Sequence, residues 1–186
     1  MQFPVHDTES APEESRSVLQ AVNQEYGFLP NLFGVFAHSP AAAEAYASIG
    51  RALEKAALDP AEQQAVFLTV SAKNGCDYCV AAHSTLAKGT DMSDETLAAL
   101  RNGEELPDER LQAVARFAAA MRDHQGWVPE EELKAFAEAG YGERHVLDVI
   151  TILAMKTLSN YTNHLAGTPL DDAFAGQAWD GGRHAA

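Results

Sequence analysis

Gly75-Cys76-Asp77-Tyr78-Cys79-Val80-Ala81-Ala82-His83 is the stretch that gives the rest of this chain its meaning. It holds the chain's two cysteines, spaced C-x-x-C, with a histidine four residues after the second. Both flanks read as helix. Upstream, Ala61 to Ala72 is rich in apolar residues and free of Gly and Pro; downstream, Val80 to Lys88 continues until Gly89 stops it. With Cys76 opening the second helix, Cys76, Cys79 and His83 stand at i, i+3 and i+7 and share one face. Asn74-Gly75 supplies the turn and a candidate N-cap. Thiols in a first helical turn meet unpaired N–H groups and the positive end of the dipole, which favour thiolate over thiol. The pattern is that of a reactive dithiol.

Helical punctuation extends outward from this centre in both directions. Towards the N-terminus, Asp59-Pro60 and Ser39-Pro40 each place a capping side chain before a proline, predicting helices that begin there, the second running to about Ala56. Between Ala11 and Tyr26 the apolar positions Val18, Leu19, Val22 and Tyr26 recur at helical spacing, and Gly27 ends the run. Phe28-Leu29-Pro30-Asn31-Leu32-Phe33 reads as an apolar connection, and residues 1–10 as a loosely held, flexible arm. Towards the C-terminus, Ser93 caps a short helix through Leu100. Pro107 to Gln125 carries Leu111, Val114, Ala115, Ala118 and Met121 on one face. A short helix from Glu130 to Ala139 and a long one from about Gly142 to Leu165 follow. The tail beyond Gly167 is rich in Gly and Asp, with Phe174 and Trp179 available for docking. No stretch reads as a strand, so the expected fold is all-α, a single domain over 1–186 with its core motif at 60–89. Ala72–Cys79 can be laid over Met155–Thr162 with Lys and Tyr identical, which marks 142–167 as a possible degenerate repeat without the sulfurs.

The chain has 186 residues and a formal net charge of −14, which argues against a general affinity for nucleic acid or anionic membrane. No apolar run approaches the roughly 20 residues that span a bilayer. The segment Met1–Asp7 lacks the basic and apolar regions of a signal peptide, so a cytoplasmic location is expected. In that reducing compartment a C-x-x-C pair points to redox or metal chemistry before a structural disulfide.

Val70-Ser71-Ala72-Lys73-Asn74-Gly75-Cys76-Asp77-Tyr78-Cys79-Val80-Ala81-Ala82-His83-Ser84 resembles the core of the alkylhydroperoxidase D-like branch of the carboxymuconolactone decarboxylase family. Gly27–Phe33 with His38-Ser39-Pro40 is similar to the N-terminal segment of longer members, and Asn160-Tyr161-Thr162-Asn163-His164 to their last long helix. The resemblance implies an all-helical, homo-oligomeric protein (dimer, trimer or hexamer) that needs no cofactor and reduces alkyl hydroperoxides. It implies that Cys79 attacks the O–O bond, that Cys76 resolves the sulfenic acid as a disulfide, and that His83 belongs to a proton relay. A lipoyl- or thioredoxin-type dithiol would then reduce the disulfide. Two relay positions depart from the family: Gln64 stands where a glutamate is expected twelve residues before Cys76, and Tyr78 where a second histidine is expected. Glu62, two residues earlier, is turned by roughly 200° to the other side of its helix. If the missing acid limits the rate, Gln64→Glu raises it.

From the residues alone, spacing does not decide which cysteine is the nucleophile. His83, one turn beyond Cys79, is placed to accept the thiol proton or stabilise the anion. His164 is a candidate relay group on the last helix, whereas His38, His124 and His145 read as surface or packing residues. Tyr161 and Asn160 read as core and helix-end polar residues, and Trp127 and Trp179 as packing anchors. Two alternatives stand beside the peroxidase. One is the lactone decarboxylation that names the family, which generally does not depend on a C-x-x-C pair. The other is a non-catalytic module that senses oxidation or holds a metal on Cys76, Cys79 and His83, with His164, His38 or water as fourth ligand.

Overall fold

Prolines and acidic caps start most helices of this chain, and glycines in the left-handed region end several of them. The computed structural model describes residues 2–181, and among these there is no strand. The helices are α1 (Glu13–Tyr26), α2 (Asn31–Phe36), α3 (Pro40–Leu53), α4 (Pro60–Lys73), α5 (Asp77–Ala87), α6 (Asp94–Asn102), α7 (Glu109–Asp123), α8 (Glu130–Glu138) and α9 (Glu143–Ala166). A 3-10 turn follows at Asp172–Gln177. No helix among the described residues is long and apolar enough to cross a membrane.

Helix α4 is the hub and packs against α5, α6, α7 and α9. Its middle residues Ala65, Val66, Phe67 and Leu68 are buried in succession, as a helix enclosed on all sides requires. A capping box starts it. The Asp59 carboxylate accepts from Glu62 N–H at 2.8 Å, and the Glu62 carboxylate accepts from Asp59 N–H at 2.9 Å. At the other end Gly75, at φ 66°, reverses the chain, while Cys76 N–H donates to Ser71 C=O at 3.0 Å. The α4–α5 connection is therefore only residues 74–76, and the dithiol is fixed against the end of the hub helix.

Several expectations are corrected. The apolar connection at Phe28–Phe33 runs into a helix, α2, whose residues Leu32 to Phe36 are all buried. It carries no capping side chain of its own: the Asp171 carboxylate, far along the sequence, accepts from Asn31 N–H at 3.0 Å. Residues 2–10, expected as a loose arm, lie along α2, where His6 N–H donates to Gly34 C=O at 3.1 Å and His38 Nε2 to Pro4 C=O at 2.9 Å. Gly34 permits this approach, because a Cβ there would collide with the His6 carbonyl. Trp127 is no anchor: it is 88% exposed, thrown outward after the positive-φ pair Gln125 and Gly126. Tyr161 is exposed on the outer face of α9, whereas Trp179 packs against the core as expected. The echo between 72–79 and 155–162 is not shared by the backbone, since the first crosses the α4–α5 turn and the second runs uninterrupted within α9.

Candidate active site

Cys76 is the N-cap residue of α5, with extended φ −95° and ψ 92°, and its carbonyl accepts from Val80 N–H at 2.9 Å. Asn74, expected as a candidate cap, instead ends α4 and donates through Nδ2 to Asn160 Oδ1 at 2.7 Å. Cys79 lies in the first turn of α5, and both cysteines are free and buried. They therefore sit where a helix N-terminus favours an anion.

Helix α9 closes the site from above. Lys156, Ser159, Asn160 and Asn163 recur at i, i+3, i+4 and i+7, and all four are buried. Asn163 Nδ2 donates to Cys79 Sγ at 3.3 Å and reaches Cys76 Sγ at 3.7 Å. Lys156 Nζ lies 2.7 Å from His83 Nε2. From α4, Gln64 Oε1 lies 3.0 Å from His83 Nδ1, and Phe67 stacks flat on the imidazole at 4.2 Å between centroids. The ring nitrogens of His83 thus bind Gln64 and Lys156. The direct bond from His83 to the Cys79 thiol, expected from their one-turn spacing, gives way to these partners.

The two thiols are made unlike. Burial opposes ionisation of Cys79. The hydrogen bond from the Cys76 thiol, the Lys156 charge, Ser159 and Asn160 together outweigh it and hold Cys79 well below the ordinary thiol range. Cys76, the donor in that pair, is pushed up by the same hydrogen bond and by burial. Burial, followed by the Lys156 charge, lowers His83 well below its usual value and keeps the imidazole neutral.

The remaining sequence candidates fall elsewhere. Tyr78 faces away from the relay: its hydroxyl donates to Asp171 Oδ2 at 2.5 Å and accepts from Leu32 N–H at 3.3 Å. It ties the C-terminal segment and α2 to the dithiol helix, and burial followed by the Asp171 bond pushes its phenol up. His164 is exposed and borders a cleft of about 310 Å³ together with Cys76, Asn163, Thr168, Leu170 and Trp179. Cys76 is the sulfur that lines this cleft. Glu62 turns away from the dithiol, as its spacing from Gln64 predicts, and binds Arg110 and Tyr141. His38 lies against Phe3 and His6. Among the described residues, no group of three or more His, Cys, Asp or Glu side chains is placed to hold a metal ion. The lysine pressed on His83 Nε2 runs counter to a cation site there.

Sequence reasoning missed Lys156, Ser159, Asn163 and Asp171. The first three left a trace, a K-x-x-S-N-x-x-N series at helical spacing inside an otherwise apolar helix. Asp171 left none, because its partners are fixed only by the tertiary fold.

A sequence model of the carboxymuconolactone decarboxylase family matches residues 40–139. The fold is similar to the crystal structure of an alkylhydroperoxidase AhpD core, an uncharacterized peroxidase-related protein from Ralstonia eutropha JMP134. The identity is 26% and the TM-score 0.82, with 93% of each chain covered. It is also similar to an uncharacterized peroxidase-related protein from Silicibacter sp. TM1040, at 20% identity and TM-score 0.80 over 95% of this chain and 94% of that one. The debrominase Bmp8 in complex with 2,3,4-tribromopyrrole shares the fold at 19% identity and TM-score 0.76, with 95% of each chain covered. No curated protein sequence matches the chain.

Proposed function

The chain belongs to the carboxymuconolactone decarboxylase family, in its alkylhydroperoxidase D-like form, and from that premise we propose that it is a dithiol peroxidase. Cys79 is the nucleophile. Its thiolate attacks the outer oxygen of an alkyl hydroperoxide, the O–O bond breaks, and the alkoxide takes up a proton and leaves as the alcohol. Cys79 is left as the sulfenic acid. The Cys76 thiol attacks that sulfur, its proton leaves with the hydroxyl as water, and a Cys76–Cys79 disulfide remains. An external dithiol of lipoyl or thioredoxin type restores the pair through the cleft at Cys76.

The observation that carries this reading is the C-x-x-C pair buried at the N-terminus of α5, with Asn163 Nδ2 3.3 Å from Cys79 Sγ and 3.7 Å from Cys76 Sγ. The hydrogen bond from the Cys76 thiol draws Cys79 towards thiolate, and the same bond leaves the proton on Cys76. A reactive anion beside a protonated resolving thiol is what peroxide reduction through a disulfide needs. Exposed Leu147, Tyr161 and Leu165 on α9 support assembly into a homo-oligomer, checked by light scattering.

The test is a thiol count on reduced protein before and after a slight excess of cumene hydroperoxide. Loss of both thiols far faster than free cysteine, abolished by Cys79→Ser and followed by turnover with dihydrolipoamide, supports the peroxidase. Persistence of both thiols refutes it. Oxidation without turnover would make the site a redox sensor, and lactone decarboxylation surviving loss of both thiols would make it a lyase.

A further inference from the structure

Among the described residues Lys156 is the buried cation beside the dithiol helix, and the peroxidase steps assign it neither a bond nor a proton. It has no exposed surface, and its Nζ lies 2.7 Å from His83 Nε2 and 5.3 Å from the centre of the Phe67 ring. An ammonium carries donors and no acceptor, so Nε2 must accept in this pair. The imidazole proton is then on Nδ1, where Gln64 Oε1 receives it at 3.0 Å. Gln64, His83 and Lys156 form a chain of fixed direction, donating from lysine to histidine to amide. A base relay would run in the same sense, from thiol to imidazole to carboxylate, but here lysine takes the thiol's place on Nε2 and an amide takes the carboxylate's place on Nδ1.

We propose that Lys156, positioned by His83 and Gln64, is the counter-cation of the Cys79 thiolate, so that the site works by ammonium–thiolate pairing and not by a carboxylate–imidazole relay. This rests on the dithiol reading of the same site. The groups facing Cys79 are few. Cys76 and His83 lie on its own helix, Lys156 on α9 and Tyr46 on α3, and Asp171 stands behind Tyr78. On α4, Glu62 is turned away to Arg110, and Arg101 of α6 binds Ser84. Lys156 is the cation among them placed to hold the thiolate. It shares the buried face of α9 with Asn163, whose Nδ2 lies 3.3 Å from Cys79 Sγ. Its bond to His83, one turn from Cys79 on α5, and its place over the Phe67 ring hold it there.

The pairing and the relay predict opposite signs for one substitution. Gln64→Glu adds an anion beside His83. Under the relay it restores the base and speeds the reaction; under the pairing it offsets Lys156 and disfavours the thiolate. The experiment follows Cys79 titration by ultraviolet thiolate absorbance and by the pH dependence of iodoacetamide alkylation, in a Cys76→Ser background where Cys79 is the sole thiol. Lys156→Met is expected to raise the midpoint by about one pH unit or more, a roughly tenfold loss of thiolate below it. Lys156→Arg is expected to keep the midpoint low, and Gln64→Glu to raise it. An unmoved midpoint in Lys156→Met, or a lowered one in Gln64→Glu, overturns the pairing. Should Lys156→Met fail to fold, the near-isosteric Gln64→Glu decides alone by its sign. Neither readout uses peroxide. A wild-type protein inert to cumene hydroperoxide whose midpoint still moves with Lys156 would overturn the peroxidase reading and leave the pairing standing.

Discussion

Glu62 and Gln64 stand two residues apart on α4, and separating their roles is a direct check on the site as described. Glu62→Ala removes three interactions of a carboxylate that is 2% exposed. Its ion pair with Arg110 at 2.8 Å involves a guanidinium that is half exposed, so solvent screening limits that contribution to about 0.5 kcal/mol. The capping-box bond to Asp59 N–H at 2.9 Å sits at an exposed helix start and contributes about 1 kcal/mol. The bond from the Tyr141 hydroxyl at 2.9 Å is buried and contributes about 1 kcal/mol; that hydroxyl is not stranded, because the Arg110 carbonyl lies within 3.2 Å. The total is about 2–3 kcal/mol, a fall of roughly 5–10 °C in Tm for a domain of this size. Urea unfolding and calorimetry read the stability, and iodoacetamide alkylation of Cys79 at neutral pH reads the site. The expected result is clear destabilisation with the alkylation rate of the folded protein within about twofold of wild type, since the effect on a distant thiolate is screened. A tenfold change in that rate with little loss of stability would refute the reasoning, because it would make Glu62 the relay acid after all.

Three further outcomes follow from the geometry. Asp171→Ala removes the carboxylate that binds Asn31 N–H and the Tyr78 hydroxyl; the expected loss is about 3 kcal/mol by urea unfolding, with faster alkylation of Cys76 as the cleft wall loosens, and an unchanged alkylation rate would count against that wall. His83 is held neutral in the fold while an unfolded imidazole takes up a proton near pH 6.5, so the unfolded chain binds more protons below that value. Stability then falls as pH drops from about 6.5 towards the lower folded value, by up to about 1.4 kcal/mol per unit, and His83→Gln should flatten this slope in urea midpoints compared at pH 7 and pH 5. Equilibration against glutathione should give Lys156→Met a more negative reduction potential than wild type, and equal potentials would speak against a cation that stabilises the reduced dithiol.

What the sequence made legible follows from how local each determinant is. Ser39-Pro40 and Asp59-Pro60 announced α3 and α4 because cap and proline act within one turn; Ser39 Oγ accepts from Ala42 N–H, and Asp59 forms its box with Glu62. The dithiol spacing was equally legible, since three residues on a helix leave little freedom, whereas Gln64 entered only through the family resemblance and its contact with His83 is seen in the fold. Helix α2 was hidden. It has six residues, too few to show a period, and its N-terminal anion comes from Asp171. The site face of α9 was hidden for a related reason: periodicity finds a stripe but not which neighbour it crosses. Lysine is also the residue least expected in a core, so the rule that places charges outside argued against Lys156.

That burial is what ties the site's chemistry to its redox state. A buried ammonium is costly unless paired; its contacts here are an imidazole nitrogen and an aromatic face, and the counter-charge proposed for it is the Cys79 thiolate. Of these, only the thiolate carries a full opposing charge. Forming the Cys76–Cys79 disulfide abolishes that charge and leaves Lys156 with neutral partners in a closed site. On the proposed pairing the fold stabilises the reduced dithiol more than the disulfide, and the disulfide would be an oxidising one that a modest dithiol can open. The same lysine that readies Cys79 for attack thus favours its recovery. A carboxylate at position 64 would weaken this bias by supplying Lys156 with a permanent counter-ion, and the glutamine found there leaves the thiolate as the charge that lysine must have.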